Sequence, residues 1–345
     1  MTHGLLLLLS LQVPPDSLQR VHVRDAVGAR LDAQLTRYAD SGFAGTVLVV
    51  RDRRVLILKG YGLSDPKRTV RNSPATRYEQ NSMTKMFTGV SILQLAASGR
   101  LGLHDPIERV LGGFPDAKRG ATIAQLAAHT SGLIVDGTAL AGESREAFVR
   151  DVKRTPAESA PGARYRYTNA GFSLLAAIIE AASGQRFEDY LRQRVFEPAG
   201  MRTIVFRDEV PEADSLFARP FTGTANPYVW GTRGAGGVWS TVGDMYRWVV
   251  AVEDGLAVAP AQRAILFAPP EPPAEEAYGW HVRPATDSTR LQIDKGGGSA
   301  SFQSQLVYYP NDRVVIVWAT NDLRQRWRQT MNRTLADIVF GGPTR

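Results

Sequence analysis

The sequence contains no cysteine and very little lysine. Without cysteine the protein has no disulfide bonds, no catalytic thiolate and no zinc site built on thiolate ligands. The five histidines (His3, His22, His104, His129 and His281) show no metal-ligand spacing, so we expect them to be structural. We therefore expect neither a metal nor another cofactor.

Charge is plentiful but is not organised for nucleic acid. The 41 basic residues comprise 6 Lys and 35 Arg, and they give a net charge of +7. The arginines are scattered along the chain, and we find no recognition motif and no basic helix. We therefore predict a small-molecule or peptide substrate and no nucleic-acid partner. The oligomeric state stays open.

Long apolar runs are also missing. The leucine-rich stretch within residues 1–17 resembles the apolar region of a signal peptide, but it lacks a basic start and an Ala-x-Ala cleavage site. No stretch approaches the length that spans a bilayer, so we expect no stable membrane span. We expect residues 1–17 to be a signal peptide or a disordered N-terminus. Export to the periplasm or the medium is favoured, with a cytoplasmic location as the alternative.

Strand signals lie near both ends of the chain. Residues 46–50 and 55–58 flank a polar turn and predict a hairpin, and residues 302–309 and 313–319 predict a second one. The patterns between about 105 and 260 are helical. We therefore predict an α+β fold in which both chain ends build one antiparallel sheet, flanked by helices. Residues 18–75 and 261–345 would form the sheet subdomain and residues 76–260 an inserted, mainly helical subdomain, with the active site between them.

Ser82 and Lys85 are the first candidate site residues. They stand three residues apart at the start of a helical pattern, and residues at this spacing share a helix face. A lysine can take a proton from a serine hydroxyl only if its own pKa is lowered. The alternative is a helix-capping serine beside a solvated lysine. Ser64 and Lys67 repeat the spacing, but an Asp-Pro pair between them predicts a solvated loop.

Two further segments carry candidate residues. Tyr167 and Asn169 precede a strong helical pattern, which predicts an inward-facing loop. Lys295 and Gly297 lie in a glycine-rich segment, predicted as a loop just before a strand, where glycines allow close approach of a substrate to the backbone. Packed aromatic and flexible-loop interpretations remain open for these segments. Because arginine cannot release its proton in a protein, the use of scarce lysine at 85 and 295 favours chemistry over charge alone.

The ordered set Ser-x-x-Lys, Tyr-x-Asn and Lys-x-Gly resembles the serine β-lactamase and penicillin-binding-protein superfamily, in particular its class C-like branch. The stretches Tyr78–Thr88, His129–Leu133 and Gly236–Thr241 are also similar, and the resemblance covers roughly residues 25–340. The chain has no Gly-x-Ser-x-Gly elbow and no Ser-Asp-Asn triplet. An α/β-hydrolase and class A chemistry are therefore disfavoured.

The resemblance implies roles for individual residues. Ser82 would be the nucleophile, and Lys85 and Tyr167 would share the proton transfers, with the base left unassigned between them. Asn169 would hydrogen-bond Lys85 or the substrate, and Lys295 with Gly297 would support substrate binding. The backbone N–H groups of Ser82 and Gly298 would form the oxyanion hole.

Two positions depart from the family pattern. Gly296 stands where a threonine is common, and the missing hydroxyl disfavours β-lactamase activity. Ser301 replaces a common glycine, and we expect it to narrow the site. The sequence therefore predicts an acyl-enzyme serine hydrolase of the esterase or D-amino-acid peptidase or amidase type. A class C-like β-lactamase and a non-catalytic ligand-binding or sensor relative are the alternatives.

Overall fold

A computed structural model describes residues 18–133, 142–224, 227–268, 271–284, 290–324 and 327–342. The signal peptide or disordered N-terminus predicted for residues 1–17 lies outside these ranges. Within the described ranges, no helix combines the length and the apolar character needed to cross a bilayer.

The described strands concentrate near the two ends of the chain, and two short ones lie among the helices between them. In order they are β1 (His22–Val23), β2 (Gly45–Arg51), β3 (Arg54–Tyr61), β4 (Leu63–Asp65), β5 (Val70–Arg71), β6 (Tyr78–Glu79), β7 (Val205–Phe206), β8 (Val238–Ser240), β9 (His281–Pro284), β10 (Leu291–Gly298), β11 (Gln303–Tyr309) and β12 (Val314–Thr320).

Most of the helices lie between β6 and β9. The α-helices are α1 (Asp25–Asp40), α2 (Thr84–Ala97), α3 (Ile107–Leu111), α4 (Asp116–Arg119), α5 (Ile123–Ala127), α6 (Arg145–Arg154), α7 (Asn169–Ser183), α8 (Phe187–Leu191), α9 (Val242–Glu253), α10 (Pro260–Leu266) and α11 (Trp327–Phe340). Shorter turns are 3₁₀ segments at Asn81–Met83, Arg207–Glu209 and Trp230–Thr232, and a π-helical turn at Arg192–Phe196.

The main sheet confirms the predicted architecture. Its described strands follow the order β1-β3-β2-β12-β11-β10-β9, and all neighbours are antiparallel. β2 pairs with β12 from Gly45 opposite Thr320 to Arg51 opposite Val314. The first hairpin is therefore joined to the last one, and the predicted α+β fold is correct. β6, β8 and β7 form a separate small sheet, and β6 contacts β11 of the main sheet.

The central strands are buried on both faces. Val47 and Val49 pack in a cluster with Leu31 of α1 and Leu335 of α11. Leu48, which points to the opposite face, packs in the larger cluster beneath the other helices. Because both faces are covered, these strands consist of almost uninterrupted β-branched and aliphatic residues, which explains the strength of the sequence signal.

Two local predictions were wrong. The segment Asp294–Ser299 was predicted as a loop, but residues 294–298 continue β10 and pair with β11. The ladder to β11 outweighs the low strand propensity of the three glycines. Ser64 was predicted in a solvated loop, but it is fully buried in β4, with Oγ 3.3 Å from the carbonyl oxygen of Val70. Lys67 is exposed.

Candidate active site

Ser82 lies in a tight turn that leads from β6 into α2. The turn spans Asn81–Met83 and α2 begins at Thr84. Asn81 adopts a φ of 50°, a left-handed conformation that few non-glycine residues accept. This turn presents the Ser82 hydroxyl at the amino end of a helix, where backbone N–H groups lack intrahelical acceptors.

Lys85 is enclosed in the first turn of α2 and faces Ser82. Its Nζ is 3.2 Å from Ser82 Oγ, 2.7 Å from Asn169 Oδ1 and 3.1 Å from the carbonyl oxygen of Ala235. The side chain is fully buried, so the interpretation of Lys85 as a solvated surface residue is wrong. Burial lowers the pKa of Lys85, and the charge of Lys295 acts in the same direction, against Tyr167, which raises it.

The backbone of α2 around Lys85 is clamped by a glycine. Gly279 has a φ of 82°, and a Cβ on it would lie 2.4 Å from the carbonyl carbon of Lys85. Both the dihedral angle and the close approach require glycine here. The loop before β9 therefore fixes the helix turn that carries the catalytic candidates.

Tyr167 reaches the same place from the loop before α7. Its ring centroid is 4.9 Å from Lys85 Nζ and 5.2 Å from Lys295 Nζ, and 40% of the residue is exposed. Burial raises the pKa of Tyr167, but the positive charges of Lys85 and Lys295 outweigh this effect and bring the pKa below its ordinary value of 10. The structure thus brings the predicted residues Ser82, Lys85, Tyr167 and Lys295 together.

His129 holds Tyr167 from both sides. The backbone N–H of Arg166 donates to the His129 carbonyl at 2.7 Å, and that of Thr168 donates to His129 Nδ1 at 3.2 Å. The imidazole also stacks on the Tyr167 ring, with centroids 4.4 Å apart and planes inclined by 30°. His129 therefore determines the position of the tyrosine.

Glu276, which no sequence motif predicts, lies at the centre of the buried network. Its Oε1 accepts from His129 Nε2 at 2.8 Å and from Lys295 Nζ at 2.7 Å, and its Oε2 is 2.6 Å from Lys295 Nζ and 2.8 Å from His281 Nε2. Burial raises the pKa of Glu276, but Lys295 and the two histidines outweigh it and hold the pKa well below its usual value. Glu276 is therefore the carboxylate that neutralises Lys295.

These contacts also assign the tautomer of His129. Since Nδ1 accepts the hydrogen bond from Thr168, the proton of the neutral ring resides on Nε2, which donates to Glu276. Burial lowers the pKa of His129 to about 4, against the opposing effect of Glu276. The ring is therefore neutral near pH 7 and acts as a positioning group.

An open cleft of about 430 Å³ lies over Ser82. Its lining residues are Glu79, Asn81, Ser82, Asn169, Pro227, Thr232, Ala235, Gly236, Gly237 and Gly298. Gly297 lets β10 approach the nucleophile turn, because a Cβ on it would lie 2.0 Å from the carbonyl oxygen of Gln80. Gly298 follows at the cleft wall, where a Cβ would meet no atom within 4 Å. The two predicted oxyanion-hole residues, Ser82 and Gly298, thus share one cleft.

Ser301 is buried and is not among the residues that line the cleft. Its Oγ donates to the carbonyl oxygen of Thr224 at 2.8 Å, so the hydroxyl tethers a neighbouring loop. Gly223 lies close enough that a Cβ on it would be 2.7 Å from Ser301 Oγ. The departure at 301 therefore acts on loop packing.

Several known proteins are similar to this chain in sequence. A family model described as Beta-lactamase matches residues 27–340. Penicillin-binding protein 4* of Bacillus subtilis (strain 168) is 27% identical over 335 residues, which cover 87% of this chain and 73% of that protein. PbpX of the same organism is 28% identical over 253 residues, and the match spans 72% of this chain but only 64% of PbpX.

Solved structures share the fold. FmtA from Staphylococcus aureus aligns with a TM-score of 0.80 at 21% identity, covering 94% of this chain and 92% of that chain. The D-amino acid amidase from Ochrobactrum anthropi SV3, solved with L-phenylalanine amide, aligns with a TM-score of 0.75 at 18% identity, covering 92% and 98%. At these identities the likeness concerns the fold alone.

Proposed function

The chain belongs to the beta-lactamase family, and we propose that it is a serine hydrolase that forms an acyl-enzyme on Ser82 and cleaves an ester or amide bond. The observation that carries the proposal is the contact between Ser82 Oγ and Lys85 Nζ at 3.2 Å, with the lysine fully enclosed and its pKa lowered by burial. A serine becomes a strong nucleophile only beside such a base.

In the proposed acylation, Ser82 Oγ attacks the substrate carbonyl carbon and its proton passes to the Lys85–Tyr167 pair. The two groups lie close enough to titrate as a unit, so the pair rather than either member is the base. The same pair then returns the proton to the departing alcohol or amine, which breaks the ester or amide bond and leaves the acyl group on Ser82.

The carbonyl oxygen becomes negatively charged during this attack. We propose that the N–H groups of Ser82 and Gly298, which line the same cleft, stabilise that charge. Asn169 holds Lys85 through a 2.7 Å hydrogen bond, and Lys295 places its positive charge beside Tyr167. In deacylation, a water molecule takes the place of the leaving group and regenerates Ser82.

Within the family, we propose a place in the class C-like branch and a preference for simple esters or D-amino-acid amides and peptides over β-lactams. The Tyr167-x-Asn169 and Lys295-x-Gly297 patterns support the branch. Gly296 supports the preference, because it lacks the hydroxyl that relatives with threonine use to hold a carboxylate.

The test compares initial rates on a short-chain nitrophenyl ester and on a chromogenic cephalosporin for the native protein and Ser82→Ala. We expect the native protein to hydrolyse the ester and the variant to lose at least about 1000-fold of that rate. Mass spectrometry of the quenched native reaction should find the acyl group on Ser82. The relative cephalosporin rate ranks the esterase against the β-lactamase alternative.

Ser64→Ala is the matched control, because Ser64 has the same spacing to a lysine but is buried in β4 away from the cleft. This variant should keep the native rate. Equal rates for native protein and Ser82→Ala would refute the proposal. An acyl adduct on Ser82 that persists without turnover would instead favour a ligand-binding or sensor role.

A further inference from the structure

Glu79 is a buried carboxyl group in the wall of the cleft that the proton-transfer machinery does not use. It belongs to β6, pairs with Trp239 of β8 and comes three residues before Ser82. Only 2% of the residue is exposed, yet it lines the cleft together with Ser82 and Gly298. Three residues of chain span at most about 11 Å, so Glu79 and Ser82 lie within that distance of each other along the wall of one cleft.

The carboxyl group lacks the partners that a buried acid requires. Its Oε2 has no hydrogen-bond partner among the residues that the structure describes. Burial raises the pKa of Glu79 to about 7, and the opposing charge of Arg207 does not restore the usual value. The Arg207 guanidinium lies 5.9 Å from the centroid of the Trp239 ring. A buried carboxyl group without a hydrogen-bond or ion-pair partner destabilises the protein. Such unfavourable groups are typical of functional sites.

Among the residues that the structure describes, the rest of the cleft wall is uncharged. Its other lining residues are asparagine, serine, threonine, proline, alanine and glycine. A ligand atom that enters the cleft therefore meets one acidic side chain, and that side chain still has acceptor capacity. An ammonium group fits this environment, because it supplies several N–H donors and the opposite charge in one compact group.

We propose that Glu79 recognises an ammonium group on the acyl part of the substrate, so that the preferred substrates are esters or amides of amino acids with a free amino group. The inference rests on the proposed acyl-enzyme at Ser82 and adds a specificity determinant to it. The ammonium supplies the charge and hydrogen-bond partner that the carboxylate lacks, and the carboxylate in turn orients the acyl carbonyl towards Ser82.

The test uses p-nitrophenyl esters of D-alanine, of L-alanine and of propionate, which place an ammonium group or hydrogen atoms at the same position. Rates are corrected for spontaneous hydrolysis and expressed as kcat/KM. We expect the native protein to prefer at least one alanine ester to the propionate ester by at least about 10-fold. Glu79→Gln, which keeps the size and removes the charge, should reduce this ratio to about 1, mainly through a higher KM.

Asp208→Asn is the matched control, because it removes an exposed carboxylate one residue from Arg207. It should keep the native ratio, whereas a general effect of protein charge would change the ratio in both variants. Circular dichroism and the urea midpoint of Glu79→Gln show that the variant is folded, so the ratio is compared between folded proteins.

Two results would overturn the inference. The first is a native protein that treats alanine and propionate esters alike, which needs no variant to be observed. The second is a Glu79→Gln variant that keeps the native ratio. Both are distinguishable from failure of the proposed function, because Ser82→Ala then still abolishes hydrolysis of every ester. If Ser82→Ala retains activity, the acyl-enzyme itself is wrong.

Discussion

The substitution Glu276→Gln tests the buried network most directly. Glu276 is fully enclosed, and both of its oxygens accept from cationic or N–H donors. The amide has the same shape but only one acceptor atom, so its NH₂ group must face a donor. On the His129 side this is a donor-donor clash, because Thr168 fixes the proton of His129 on Nε2.

The other orientation is less unfavourable. There the NH₂ group faces Nε2 of His281. The proton of His281 can reside on Nδ1 instead of Nε2, because Nδ1 lies 3.4 Å from the carbonyl oxygen of Glu275, which can accept it. The amide oxygen then accepts from His129 and Lys295, but Lys295 Nζ must move away from the NH₂ group, because it lies 2.6 Å from Oε2 in the native protein. What remains lost is the charge that neutralises buried Lys295. Removing one member of a buried ion pair lowers the free energy of unfolding by about 3–5 kcal/mol. Because the amide oxygen still accepts hydrogen bonds, we expect a loss of about 3 kcal/mol.

The assay is urea denaturation at pH 7, with the free energy of unfolding compared between variant and native protein. Glu209→Gln is the control, since it makes the same chemical change in the exposed pair with Arg192 and should cost about 0–1 kcal/mol. The negative charge of Glu276 raises the pKa of Tyr167, so its removal should also move the acid limb of the pH–rate profile to lower pH. A stability loss no larger than that of Glu209→Gln would refute the reasoning.

Three further outcomes follow from the same geometry. Lys85→Arg should keep the fold but acylate at least about 100-fold more slowly, because arginine stays protonated. The acylation rate is measured as the burst of nitrophenol, and a burst as fast as that of the native protein would contradict a proton-accepting lysine. His129 binds its proton near pH 6.5 in the unfolded protein but near pH 4 in the folded protein, so the free energy of unfolding should fall by about 3 kcal/mol as the pH drops from 7 to 4. The same dependence of this free energy on pH in His129→Gln would contradict the prediction. Gly297→Ala should lose about 1–3 kcal/mol of stability by collision with Gln80 while Gly298→Ala folds normally, and equal melting curves would show that β10 approaches the turn less closely.

The parts of the site that sequence could predict are those fixed by local spacing. Ser82 and Lys85 belong to one helical turn, so their proximity follows from the period of the helix. The scarcity of lysine against 35 arginines also pointed to Lys85 and Lys295 before any contact was known. The strands β2 and β12 were predictable for a similar reason, because burial on both faces leaves continuous apolar runs.

The parts that sequence missed depend on contacts between distant segments. Glu276 follows another glutamate in a region without a motif. The sequence alone does not distinguish a buried glutamate from an exposed one, because its partners come from distant segments. One signal was available: Lys295, if buried beside the site, needs a counter-ion. The loop prediction for the glycines at the end of β10 was wrong for a related reason. Their pairing with β11 determines their conformation, and local propensity does not.

The pairing of β2 with β12 joins segments that are far apart in the chain, and the complete site requires both of them. Residue 45 must pair with residue 320. In the strand order, β10, which carries Lys295, follows β12 and β11. Contacts between such distant residues form slowly, because a long loop must be closed before any of them contributes. A chain still leaving the ribosome therefore has Ser82 and Lys85 long before it has Lys295 and Gly298. Hydrolytic activity should accordingly be gained on refolding later than helix content.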